Sequence, residues 1–160
     1  MVQVSVRVPR IGPAPCGIKN IELKDGAFGK PLAELSPSAL ENMRCALIDH
    51  LERIVLYTVN TPLAEGEAYK KIFRNASFLG ITHLKLCLCT VDEGKNLAAL
   101  SEPLRMAEAY GIKLVFEPGG KYAFFDEAMY ASVRTPDTGI IFNPYRYVCE
   151  HKNPFLQVLY

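Results

Sequence analysis

The sequence predicts a parallel α/β protein built as a serial β-α array, and three observations carry that reading. Gly-Ile dipeptides open four hydrophobic runs: Gly17-Ile18, Gly80-Ile81, Gly111-Ile112 and Gly139-Ile140. The last two intervals are 31 and 28 residues, and the first is 63, with another apolar run, Arg53-Ile54-Val55-Leu56-Tyr57, filling it. A unit of roughly 30 residues is the length of one strand plus one crossover helix. Two of the runs end in a polar residue, Glu117 and Asn143, at the strand end where parallel sheets place their chemistry. Gly ahead of each run suits the left-handed C-terminal end of a preceding helix.

The elements follow in order. Val2–Val8 alternates like a strand, and Pro9 to Pro15 holds three prolines and reads as a loop. Ile18–Lys24 is a second strand. After a Gly-rich loop, Ser36-Pro37 starts a helix with Pro at its favoured first position, and its apolar face is Leu40, Met43, Leu47, Ile48 and Leu51. Ile54–Val59 is a third strand. Glu65–Leu79 is a helix with Tyr69, Ile72, Phe73, Ala76 and Leu79 on one side, ended by Gly80. His83–Cys89 is a fourth strand. Leu97–Tyr110 is a helix expected to bend or restart at Ser101-Glu102-Pro103, since Pro cannot donate inside a helix. Lys113–Glu117 is a fifth strand, Asp126–Val133 a short helix, and Ile140–Asn143 a sixth strand. Phe155 to Tyr160 reads as the start of another helix.

With 160 residues, the chain reads as one domain, 1–160, long enough for a substantial core. Its 49% hydrophobic and 22% charged content is that of a globular protein. A net charge of +1 gives no sign of a polyanionic partner such as nucleic acid. No apolar stretch reaches the length of a membrane span, and Met1 is followed by a strand-like alternation rather than a secretory leader, so the expected location is cytoplasmic. Five cysteines, Cys16, Cys45, Cys87, Cys89 and Cys149, make an odd set that argues against a disulfide scaffold. Cys87 and Cys89 share one face of a strand without a second ligand pair, which favours packing over zinc.

Six parallel strands fit either an open doubly wound sheet or a (β/α)₈ barrel, which needs eight units and about 250 residues. Four passages separate them. AEAYGIKLVFEPGGKY resembles the helix, Gly-Ile, strand, Glu-Pro passage of the sugar isomerase/epimerase family with the xylose-isomerase-like TIM barrel. TPDTGIIFNPYRY resembles that family's next strand, where Asp-Pro-x-His is usual. GIKNIELK resembles its second strand with an inward Glu, and AYKKIFRNASFLGITHLKL the helix before its fourth strand. The resemblance covers most of residues 17–156. It implies a TIM-barrel-type chain incomplete at about six of eight units, with strands in sequential order. An arc of that kind leaves an edge and an apolar inner face bare, so a homo-oligomer is among the expected partners.

For function, the resemblance implies metal-dependent aldose-ketose isomerisation or epimerisation of a small sugar or hydroxy-ketone, impaired in this chain alone. A divalent ion (Mn, Mg, Co or Zn) would be held at the barrel mouth by Glu, Asp, His and Glu from four successive strands, the two Glu forming the acid/base pair. Glu117 matches the first ligand and the catalytic base. Asn143 stands where the second ligand is an Asp, and Arg146 where the motif has His. Proton transfer between adjacent carbons needs tuned carboxylates, and a hard cation needs anionic oxygens. An amide at Asn143 offers a neutral carbonyl, so weak metal binding is expected.

Each of these residues also has a plain alternative. Glu117 can be a polar strand end, and Asn143 before Pro a turn initiator. Glu22, inside an apolar strand, is costly unless paired and fits a substrate-site wall or a pair with a Lys. Arg146 suits a substrate phosphate or carboxylate, or a solvated loop. Gly119-Gly120-Lys121 lacks phosphate-loop spacing. His50, His83 and His151 read as structural or surface groups. A non-catalytic β/α domain that binds a small molecule or self-associates is the alternative function.

Overall fold

The computed structural model describes residues 6–7, 19–60, 67–86, 93–117, 131 and 134–141, with backbone alone for 6–7, 67 and 93–99. These form six parallel strands in the order of the sequence: β1 (Val6–Arg7), β2 (Asn20–Lys24), β3 (Arg53–Val59), β4 (His83–Leu86), β5 (Lys113–Phe116) and β6 (Thr138–Ile140). Helices α1 (Pro37–Asp49), α2 (Glu67–Phe78) and α3 (Glu93–Tyr110) cross between β2 and β3, β3 and β4, and β4 and β5. A 3₁₀ turn, Leu32–Glu34, precedes α1.

Strand alternation sorts the sheet into two faces. Ile21, Leu23, Ile54, Tyr57, Val59, Leu84, Leu86, Leu114 and Phe116 point to one side. There they meet Leu40, Met43 and Leu47 of α1, Tyr69, Ile72, Phe73 and Ala76 of α2, and Leu100, Met106 and Ala107 of α3 in one continuous core. All three helices thus cover a single face. A doubly wound sheet would carry helices on both faces and reverse its strand order, and neither is seen among the described residues. The expected sequential arc of barrel wall is met.

Ser36 caps α1, its Oγ accepting from the Ala39 amide at 3.2 Å with Pro37 at the first turn. Gly80 and Gly111, at φ +68° and +62°, end α2 and α3 as the sequence predicts. Three expectations are corrected. Gly139 caps no helix: it lies inside β6, which starts at Thr138 after a turn closed by Thr135 and Thr138. Ile48 and Leu51 are exposed: the buried stripe of α1 is Leu40, Met43 and Leu47 and leaves Ile48 outside it, and α1 stops at Asp49, before Leu51. Pro103 neither ends nor restarts α3, which runs through it as one helix. The expected helix at 126–133 lies outside the described residues except for Ala131, which is helical. The loop at 9–15 and the segment 155–160 also lie outside them.

Candidate functional site

The opposite face of the sheet is polar. Register pairs Lys24 with Thr58, Thr58 with Lys85 and Lys85 with Val115, giving one row across four strands. Glu22, paired with Leu56, lies one side-chain step deeper on the same face. Glu117, two residues beyond Val115, lies one step nearer the C-terminal mouth. The structure therefore brings Glu22 and Glu117 to a single face, from β2 and the end of β5. Asn143 and Arg146 lie outside the described residues, as do Cys16, Cys87, Cys89, Cys149, His151 and the Gly119–Lys121 segment.

Glu117 is engaged by a group the sequence reading had not singled out. The Lys85 ammonium donates to Glu117 Oε2 as an ion pair, and the two side chains are 16% and 15% exposed. The geometry follows from the ladder. Lys85 sits opposite Val115, and Glu117 is two residues further on, about 6.6 Å along the strand, which a four-carbon stem spans. Beside Lys85 in the row, Thr58 is buried, and its Oγ1 has no hydrogen-bond partner among the described residues. A buried hydroxyl without a partner is unusual; here it adjoins a lysine with three N–H donors. The signal for Lys85 was present in THLKLCLC, a lysine inside an apolar strand, which the cost of burying a charge flags as paired.

The mouth is braced by Asp25, just past β2. Its Oδ1 accepts from the Leu32 amide and the Tyr57 hydroxyl, both at 3.0 Å, and its Oδ2 from the Asn60 amide at 2.8 Å. Burial, and then the Asp25 charge, push the Tyr57 phenol far above its ordinary range, so it stays a donor. The Leu32 carbonyl accepts from the buried Asn75 amide at 2.8 Å. The loop after β2 is thereby fixed to the end of β3 and to α2.

His83 lies at the other end of β4, one step deeper than Lys85. Its Nδ1 is 3.1 Å from the Val55 carbonyl, which also accepts from Thr82 Oγ1 at 3.1 Å. That carbonyl is available because β3 bulges opposite the Ile21/Glu22 step. Burial lowers the His83 pKa, opposed by the Val55 carbonyl and aided by Lys113. Its place at the N-terminal end of the strand makes it structural. His50, just after α1, is half-buried at the opposite end of the sheet from Glu117.

As a metal centre, the described donors fit poorly. Among the described residues no three His, Cys, Asp or Glu side chains gather to hold an ion. Glu117, where the family resemblance implies a ligand, is paired with the Lys85 ammonium.

No family model matches the chain, and no curated protein matches it by sequence. Solved structures do match. A xylose isomerase domain protein from Planctomyces limnophilus aligns with a TM-score of 0.71 at 14% identity, over 98% of this chain and 66% of that one. A D-psicose 3-epimerase solved in the presence of D-fructose aligns at 0.67 and 14% identity, over 86% and 57%. A xylose isomerase-like TIM barrel protein from Mycobacterium smegmatis, in complex with magnesium, aligns at 0.60 and 18%, over 82% and 54%. At these identities the likeness is one of fold, and it is the fold the sequence resemblance implied. The chain spans between about half and two thirds of the length of these structures. Among the described residues, no helix is long and apolar enough to cross a membrane.

Proposed function

We propose that this chain handles a small sugar or hydroxy-ketone in the manner of a sugar isomerase or epimerase, with Glu117 moving the proton beside the substrate carbonyl. The observation that carries this reading is a mostly buried carboxylate just past β5, at the C-terminal mouth and on the face opposite α1, α2 and α3, in a chain that shares its fold with a D-psicose 3-epimerase. In such a site the carboxylate takes the proton from the carbon next to the carbonyl. The C–H pair becomes the C=C of an enediolate while the carbonyl π pair moves onto its oxygen, facing the Lys85 and Thr58 donors. The carboxyl then returns the proton to one of the two carbons, and in isomerisation the neighbouring hydroxyl proton passes to the former carbonyl oxygen. Thr58 and the remaining Lys85 donors supply hydrogen bonds for sugar oxygens, Glu22 accepts from a hydroxyl deeper on the same face, and Arg146 is a substrate-binding group.

A divalent ion at this mouth would be held by Glu117 and Asn143 and would polarise the carbonyl oxygen. Asn143 brings no charge, and Lys85 competes for Glu117, so such an ion binds weakly. Asn143→Asp adds an anionic ligand and should tighten Mn²⁺ binding by calorimetry. Equal affinities of the two forms would argue that Asn143 is not a ligand position.

The functional test is hydrogen exchange. The 160-residue chain, incubated with D-psicose or D-fructose in D₂O, should wash deuterium into the positions beside the carbonyl, followed by NMR. Glu117→Gln should slow the exchange roughly 10²- to 10⁴-fold. No exchange by the wild-type chain, or an unchanged rate in Glu117→Gln, would sink the reading.

A further inference from the structure

We infer that Lys85 is the resident cation of this site, occupying on Glu117 the place a divalent ion would need. The inference rests on the reading of Glu117 as the site's strand-end carboxylate; the pair itself is a matter of geometry. Parallel pairing of β4 with β5 fixes Lys85 opposite Val115 and one step below Glu117, so the ammonium reaches the carboxylate from within the sheet face rather than from solvent. Both side chains are mostly buried. In that setting the carboxylate charge is already met, and a second cation on Glu117 would sit a few ångströms from an ammonium, where weak screening makes repulsion strong. A hard divalent ion also wants several anionic oxygens, and the described residues gather no such set.

The neighbouring group points the same way. Thr58 Oγ1, buried and without a partner among the described residues, stands next to Lys85 in the row. A neutral hydroxyl beside an ammonium suits a neutral or anionic ligand oxygen, such as a sugar hydroxyl or carbonyl, held by N–H and O–H groups instead of a metal. Lys85 is thus a specificity-determining residue that sets the site against divalent ions.

Mn²⁺ itself is the probe, with free ion followed by its electron paramagnetic resonance signal and no sugar present. Wild type and Lys85→Arg should leave sub-millimolar Mn²⁺ free. Lys85→Met should bind it at least about tenfold tighter, because the competing charge is gone, and Lys85→Met with Glu117→Gln should lose that gain. Wild type binding Mn²⁺ as tightly as Lys85→Met overturns the inference. Should Lys85→Met fail to fold, thermal melts of wild type decide it: equal midpoints in EDTA and MnCl₂ are expected, and an upward shift with Mn²⁺ that Glu117→Gln removes would refute it. Absence of hydrogen exchange into D-psicose would instead sink the functional reading and leave this one standing.

Discussion

Asp25 serves three donors with one carboxylate, and through them a single residue holds the loop after β2 against the end of β3. Hydrogen bonds to a charged acceptor are worth more than neutral ones, and their loss strands the donors. Asp25→Ala should therefore cost about 2–3 kcal/mol in urea unfolding, and Tyr57→Phe about 1 kcal/mol. A Tyr57→Phe cost equal to that of Asp25→Ala would mean that the phenol, not the two backbone amides, anchors the loop. His83 gives a pH signature at the same scale. Its folded pKa lies below the ordinary value of 6.5, so on acidification the unfolded chain protonates first. Stability contributed by the neutral ring is present above about 6.5 and is lost as pH falls below it. Wild type should lose more urea resistance than His83→Asn between pH 7.5 and 5.5; parallel losses would discount the ring.

The three helices end alike, yet one breaks the sequence rule. Gly80 and Ile81 donate to Ser77 and Ala76, and Gly111 and Ile112 donate to Glu108 and Ala107. Leu51 and Glu52 make the same two bonds to Ile48 and Leu47, although Leu51 adopts φ +53° with a side chain. Left-handed backbone costs a side-chain-bearing residue about 1–2 kcal/mol, and Leu51 is 72% exposed, so little packing offsets that strain. Leu51→Gly should raise the melting temperature by roughly 2–4 °C, whereas Gly80→Ala or Gly111→Ala, with open space around the added Cβ, should lower it by a similar amount. A lowered melt for Leu51→Gly would show that Leu51 packs in solution. At the other end of α1, Ser36→Ala removes the cap and should cost about 1 kcal/mol.

At the scale of the molecule, stability should follow the sheet's connectivity. β3, β4 and β5 pair on both sides, and their outward residues all enter the one core. β6 pairs with β5 alone among the described strands, and Ile140 is 46% exposed. Amide exchange samples local opening, so the slowest amides should lie in β3 to β5 and those of β6 should exchange earlier. Equal protection in β6 and β3 would require another segment of the chain, or a second copy, to cover that edge.

The sequence by itself determined the strand and crossover-helix segments and the apolar stripe of α2, because these depend on local periodicity and on Gly at helix ends, which neighbouring residues encode. The sequential strand order was implied only by the family resemblance, and the parallel pairing shows it. It also brought out Glu22 and Glu117, since a carboxylate in an apolar run is conspicuous. It misjudged Gly139 and Leu51, where the same residue type or backbone shape serves two roles: a glycine can sit inside a strand, and a leucine can be held left-handed by the helix it closes. The partners were beyond it. Lys85 lies 32 residues from Glu117, Tyr57 lies 32 from Asp25, and the Val55 carbonyl is available to His83 because of a bulge that no pattern announces. Periodicity says which face a side chain takes, but parallel register decides which charges on neighbouring strands fall within reach. That register was set by packing the sheet against its helices, so the tertiary structure alone revealed a carboxylate already holding a cation.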